Sequence, residues 1–352
     1  MRARTLIAAC DAGTEAGLNC SLSVSSHRPG VHRRSCLGIA LMLAGAGKAL
    51  ALPAKSVHLI VPYPAGGPAD ATARLVEPLL SAQLGQRVLV ENFGGVGGAL
   101  GIQRLLASSP DGHHLLLGTP SDVILAPLTR PEVKHRPEQL RLIGVVGRAP
   151  LLLVGGARQA AMPLNRLIEG RSRTGAAELS FGSTGVGSLF HLVAEDFVAR
   201  AGLGLTHVPY QGAPPLIQDL IGGQVDFAFL PLAGTLLELV RQGRLRAYAL
   251  ANARRSAFLP ALPTMTEATG WRDFDYDIWT GLFVHRSTPE SAAERLHSIV
   301  AALQRDSTFV RQLAMTGTDS GPRLDMLEVE RFMAAQIERH RRLVEAVKLG
   351  VL

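Results

Sequence analysis

From Val57 to the end of the chain, short runs rich in valine, isoleucine and leucine alternate with segments whose apolar residues recur every three to four positions. The runs are VHLIVP (57–62), RVLVEN (87–92), HLLLG (114–118), LLLVGG (151–156), ELSFG (178–182), LTHVPY (205–210), VDFAFLP (225–231), LRAYALA (245–251) and DIWTGLFV (277–284). Strands this apolar must be buried on both faces, and the helical segments between them supply the cover, so the alternation dictates an α/β fold. Leu75, Val76, Leu79, Leu80 and Leu84 form one helical stripe, and Leu189, Leu192, Val193, Phe197 and Val198 another. Gly85 and Gly202 stop them. Pro78 falls inside the first helix, where a kink is expected. From about Pro289 the pattern is mostly helical, with Leu296, Ile299, Val300 and Leu303 and then Leu327, Phe332, Ile337 and Leu343 as buried faces.

All three cysteines, Cys10, Cys20 and Cys36, precede this region, so the α/β part has no disulfide, thiolate metal site or catalytic cysteine and relies on packing alone. The chain has 352 residues, long enough for such a core. Its net charge of +7 is concentrated at the start, where residues 1–51 hold six basic and two acidic side chains. There, His32-Arg33-Arg34 leads into the apolar run Cys36–Gly47, and Ala49-Leu50-Ala51 offers a small-x-small cleavage site. This is the layout of a signal peptide cut after Ala51, with general secretion the default and twin-arginine export left open by the Arg33-Arg34 pair. The apolar run is well short of the roughly 20 residues that span a bilayer. A bacterial periplasm suits a cysteine-free exported chain.

Two loops join a strand to a helix through small residues. In the first, Tyr63, Pro64, Ala65, Gly66 and Gly67 follow the first strand, and a helical pattern begins at about Asp70. In the second, Ser183, Thr184, Gly185, Val186, Gly187 and Ser188 open a helix. Each arrangement directs free backbone N–H groups and the positive end of a helix dipole towards the carboxyl edge of a sheet, where anions bind. Neither loop contains lysine or arginine, so a bound carboxylate is expected to meet mostly neutral donors and water. Asp70 is expected to be an N-cap paired with Arg74, or, if it faces a cleft, an acceptor for a ligand amine or hydroxyl.

Other chemistries find little support. Gly94–Gly101 is one residue too long for a dinucleotide fingerprint, and there is no P-loop, G-x-S-x-G elbow or zinc spacing. Arg171, Arg173, Arg254 and Arg255 are scattered and lack interleaved aromatics, which argues against nucleic acid. The rival class is an exported serine hydrolase using Ser183 or Ser188 with His191 as base.

The ordered segments VPYPAGGPADATARLVEPL, LGQRVLVENFGGVGGALG, SPDGHHLLLGT, LSFGSTGVGSLFHL, THVPYQGAPPLIQDLIGGQVDFAF, LPALPTMTEATG and WTGLF closely resemble the Bug-type receptors, the periplasmic solute-binding proteins of tripartite tricarboxylate transporters. The resemblance runs from about Val57 to the C-terminus. It implies a type II periplasmic-binding-protein fold, two α/β lobes joined by crossing strands around a ligand cleft, with residues 52–154 and 252–352 as lobe 1 and 155–251 as lobe 2. It also implies a ligand held between the loops at Tyr63–Gly67 and Ser183–Ser188, with further contacts from Thr119, Ser121, Tyr210, Gly212 and Ala213. The ligand class is a small organic acid, such as a di- or tricarboxylate, an acidic amino acid or an aromatic acid. Expected partners are the membrane subunits of such a transporter or a sensor kinase; no cofactor, metal or nucleic acid is implied, and a monomer is the expected state. Asp226 is expected to support the hinge. The chain departs from the family pattern at Ala126-Pro127 and at Val284–Pro289.

Overall fold

The structure, a computed structural model, describes residues 55–156, 163–169 and 179–347. The expected signal peptide and Arg171 and Arg173 lie outside the described residues. The chain begins with β1 (Val57–Val61), α1 (Pro68–Leu84), β2 (Val88–Asn92), α2 (Ala99–Leu106) and β3 (His114–Gly118). A π-helical turn, Ser121–Leu125, and the short α3 (Ala126–Thr129) then lead to the long β4 (Leu140–Gly155). Next come α4 (Leu164–Glu169), β5 (Ser180–Ser183), α5 (Leu189–Ala201), β6 (Thr206–Pro209), α6 (Ala213–Gly222), β7 (Phe227–Pro231), α7 (Thr235–Arg241) and β8 (Arg246–Leu250). The return leg is α8 (Met265–Thr269), β9 (Asp277–His285), α9 (Glu290–Leu303), α10 (Ser307–Met315), β10 (Asp319–Ser320) and α11 (Met326–Val347).

The strands make two sheets of like topology. In one, the order is β2-β1-β3-β9-β4, with β2, β1 and β3 parallel and β9 antiparallel to both β3 and β4. In the other, the order is β6-β5-β7-β4-β8, with β6, β5 and β7 parallel and β4 antiparallel to both β7 and β8. The first strand of each parallel trio sits in the middle, so the chain leaves it in opposite directions for the second and third strands. That reversal is where α/β sheets open a crevice at their carboxyl ends.

Strand β4 belongs to both sheets. Its residues Leu140–Pro150 pair with β9, and Leu151–Gly155 pair with β7 and β8. Pro150 marks the exchange: it has no N–H for a ladder, and its carbonyl accepts the Leu232 amide that follows β7. The apolar run at 151–156 is therefore only the second half of a strand that begins at Leu140. Glycines at 144 and 147 and the charge of Arg148 obscure the first half in the sequence, and the register there slips at bulges.

Burial on both faces follows the period of two. Leu59, Val61, Leu115 and Leu117 face the cluster covered by α1, α9 and α10, whereas Ile60 and Leu116 face Ile102, Trp279, Val329 and Met333. In the second sheet Leu151, Leu153, Phe227 and Phe229 share a core with Phe197 of α5, while Leu152, Val154, Ala228 and Leu230 pack under α6 and α7. Helix α11 joins both sheets, because Val329 and Met333 belong to the first sheet's core and Leu343 to that of the second. No described helix is long and apolar enough to cross a membrane.

Helix α1 differs from expectation in two ways. It begins at Pro68 with Gly67 as N-cap, so Asp70 lies in the first turn and is not the cap. It also runs on through Pro78, which sits on the exposed side where the carbonyl it leaves unbonded can meet water.

Leu125 follows β3 of the first sheet, yet it is fully buried in the core of the second, among Leu151, Leu189 and Phe190. Leu125→Ala is expected to lower global stability by about 2–5 kcal/mol, read as a lower urea midpoint. A loss below about 1 kcal/mol would mean that Leu125 does not tie the two sheets.

Candidate functional site

The two glycine loops occupy equivalent places, each following the central strand of a parallel trio and each opening the next helix. In α1 the first intrahelical bond runs from the Ala71 amide to the Gly67 carbonyl, which leaves the Ala69 and Asp70 amides outside the helical ladder. Neither Gly67 nor Gly212, the N-caps of α1 and α6, offers a side chain to its helix, which leaves α1 open to an external acceptor and α6 open through the Ala213 amide alone, since Pro214 and Pro215 have no N–H. Ser188 caps α5 through its hydroxyl, which accepts the His191 amide. The Tyr210 amide donates to the Ser183 carbonyl at 2.9 Å, which holds the Tyr210–Ala213 turn beside the second loop.

Several of the expected contacts are committed to the protein itself. The Gly66 amide donates to Asp70 Oδ2 at 2.9 Å, and Arg74 Nε donates to the same oxygen at 3.0 Å. Burial works to raise the Asp70 pKa, but these bonds outweigh it and the net shift is downward. Asp70 therefore braces its own loop. The hydroxyls of Tyr63 and Thr119 both donate to Asp122 Oδ2, at 2.7 and 2.8 Å, and the Thr119 amide reaches the same carboxylate at 2.9 Å. Asp122 is fully buried; burial pushes its pKa up to about 6 against the bonds from Tyr63 and Thr119, which pull it down. This buried carboxylate is one part of the site that sequence reasoning missed. A Ser-Asp pair just after a strand is its only sequence signal, and that pattern usually marks a turn.

The second loop is gripped from outside. Ser121 Oγ accepts the Leu189 amide at 3.2 Å, Thr129 Oγ1 lies 3.4 Å from the Gly187 carbonyl, and Arg130 Nη2 donates to the Val186 carbonyl at 2.7 Å. All three bonds run from the segment after β3 of the first sheet to the loop after β5 of the second. Gly187 is required there: its φ is +72°, and a Cβ would lie 2.1 Å from Thr129 Oγ1. Arg130 lies 56 residues from Val186 in sequence but against it in space, so a cation that neither loop contains stands beside the second loop.

Behind the loop stands a small imidazole stack. Ser183 Oγ lies 2.7 Å from His207 Nε2, and the rings of His207 and His191 stack at 3.8 Å. His191 Nδ1 accepts the Gly187 amide at 3.0 Å, which places its ring proton on Nε2, facing Glu195 at 3.3 Å. His191 therefore serves neither Ser183 nor Ser188 as a base in this arrangement. Ser183 itself is fully buried, so its hydroxyl orders the loop. Tyr210 donates to Asp219 at 2.8 Å, and burial together with that bond pushes the phenol up to about 12.

Asp226 accepts the Ser180 amide and hydroxyl, and its carbonyl takes the Gly156 amide, so it pins the starts of β5 and β7 to the end of β4. That is the sheet edge away from the loops and away from the exchange at Pro150. A cavity of about 390 Å³ lies elsewhere, lined by Leu128, Lys134, His135, Arg136, Ile337 and Arg341, and none of the expected ligand contacts lines it.

The sequence of residues 72–349 matches the family model described as the tripartite tricarboxylate transporter family receptor. The chain belongs to this family. It is similar to BugT of Bordetella pertussis, with 33% identity over 270 residues that cover 75% of this chain and 81% of BugT. The solved structure of MatC from Rhodopseudomonas palustris with bound malate is 27% identical and superimposes with a TM-score of 0.75, covering 83% of this chain and 99% of MatC. A second R. palustris protein, solved with adipate, is 28% identical with a TM-score of 0.77, covering 84% of this chain and 98% of that one. Solved periplasmic binding proteins share the two-lobed type II fold seen in the receptor.

Burial, reinforced by His191, lowers the His207 pKa to about 4, against about 6.5 in an unfolded chain. The folded state releases that proton, so this contribution to stability is complete above pH 6.5 and is lost as pH falls towards 4. His207→Gln is expected to make the urea midpoint less sensitive to pH between 6.5 and 4. Part of the slope will persist, because burial also holds His340 of α11 at about 4. An unchanged slope in the variant would contradict a neutral His207 beneath the loop.

Proposed function

We propose that the receptor captures a small organic carboxylate between the Tyr63–Gly67 and Ser183–Ser188 loops and presents it to the membrane subunits of a tripartite tricarboxylate transporter. The observation that carries this reading is the pairing of the loops: each follows the central strand of a parallel trio, and each opens a helix in a chain of this receptor family. The expected division of the lobes at 154/155 moves to Pro150–Leu151, where β4 changes sheets, so Leu151–Val154 go with the second lobe. Ala65, Gly67, the open end of α1, the Ala213 amide at the start of α6, and Thr184 and Val186 supply amides to the anion; Tyr63, Thr119 and Ser121 act by fixing the loops, since their hydroxyls already have partners. The malate- and adipate-bound relatives support a dicarboxylate over an aromatic acid or an amino acid.

Binding itself needs no covalent step. A carboxylate bonded to donors from both lobes has differential affinity for the closed arrangement, and that difference is what shifts the population towards it. Export through a signal peptide cut near Ala51 would put the receptor in the periplasm as a monomer, where delivery to a sensor kinase is the other use of the same binding event.

A thermal-shift screen of the mature protein is expected to show a rise in Tm with small dicarboxylates and none with neutral sugars. Gly187→Val, whose Cβ would collide with Thr129, and Gly66→Val, strained by about 1–3 kcal/mol at φ +84°, are both expected to lose that shift while keeping the far-UV spectrum. Wild-type shifts in both variants, or a response confined to uncharged compounds, would sink the placement.

A further inference from the structure

Arg130 stands between two glycine-bearing loops, one of which abuts a third. Its side chain lies across Gly97, where a Cβ would come within 3.1 Å of Nε, and against Gly185, where a Cβ would come within 3.2 Å of Nη2. Gly94, at the start of the Gly97 loop, abuts Pro64 of the first anion loop, its notional Cβ 2.9 Å from the proline ring. The guanidinium thus touches one glycine loop in each sheet's half of the chain and is one loop removed from the third. Each of these glycines lets the arginine or the proline approach more closely than a Cβ would allow.

The cation is only partly used. A guanidinium carries five N–H donors, and among the described residues Arg130 makes one hydrogen bond, from Nη2 to the Val186 carbonyl. The acid facing it is Glu132, which lies 3.9 Å from Nη1, too far for a hydrogen bond, and is more than half exposed. Arg130 itself is mostly covered, with 23% of its side chain accessible, so its charge is felt more strongly than that of a surface arginine. A half-buried planar fork with spare donors recognises a carboxylate in two-point fashion, which a lysine would not reproduce.

We infer that Arg130 seats a second carboxylate of the ligand and so makes the receptor selective for diacids over monoacids of the same length. This rests on the reading that the glycine loops hold the first carboxylate. Arg130 belongs to neither loop, and it supplies what their neutral amides lack: a full charge at the far end of the ligand.

Matched pairs differing only in the second acid group test it: adipate against hexanoate, and malate against 2-hydroxybutanoate, by calorimetric titration. Wild type is expected to prefer the diacid of at least one pair by tenfold or more. Arg130→Gln is expected to weaken that diacid at least tenfold more than it weakens the matching monoacid, with Arg130→Lys between the two. Equal losses for diacid and monoacid would make Arg130 a lobe latch and overturn the inference, as would an unchanged preference in the variant. If Arg130→Gln does not fold, wild type still decides: raising salt from 20 to 300 mM is expected to weaken the diacid more steeply than the monoacid, and parallel salt slopes would refute the seat. Failure of wild type to bind any of the four acids would instead overturn the receptor reading beneath it.

Discussion

Everything in this molecule is built around one strand that is hydrogen-bonded into two sheets. Strand β4 carries sixteen residues, longer than strands in globular proteins usually run, and it spends its first part beside β9 and its second between β7 and β8. Because a β-ladder fixes neighbouring strands in register, the sheets cannot separate without breaking that continuous backbone. The ladder partner of β4 changes at Pro150–Leu151, and Pro150 can offer no N–H to either ladder. The geometry of the candidate cleft is inherited from this point.

On that frame the chain places the same device twice. A central parallel strand ends, a run of small residues turns the chain, and a helix begins with its amides exposed. The hydroxyls nearest these loops are spent internally: Tyr63 and Thr119 satisfy Asp122, Ser121 satisfies the Leu189 amide, and Ser183 meets His207. Such groups give the loops fixed shapes, and a fixed shape reduces the ordering cost that a ligand would otherwise meet on binding. The buried Asp122 carboxylate shows how strongly this is built in. Its desolvation is unfavourable, and it is tolerated because three donors converge on it, the hydroxyls of Tyr63 and Thr119 and the Thr119 amide, which is shared between its two oxygens.

Bonds between the segment after β3 and the loop after β5 give the two halves a direct connection besides β4 and α11. Leu125 adds apolar burial to those bonds, and Arg130 adds charge. The imidazole stack of His191 and His207 lies on the other side of the same loop, so that loop is held between a cationic edge and an aromatic one.

The sequence alone determined the α/β class, the positions of nearly all the strands, both glycine loops and the family, because those features are written in local periodicity and in short ordered motifs. VHLIVP can hardly be anything but a strand buried on both faces, and two glycines between a strand and a helix stripe leave few backbone alternatives. Tertiary structure decided the rest. That Asp70 serves its own loop, that Tyr63 and Thr119 point inward to Asp122, that His207 and not His191 meets Ser183, and that Arg130 reaches Val186 all depend on which distant segments are brought within a few ångströms. Hydrogen bonds and charges act at that range in space, while the partners are separated by tens of residues along the chain, and no local pattern records which of them will meet.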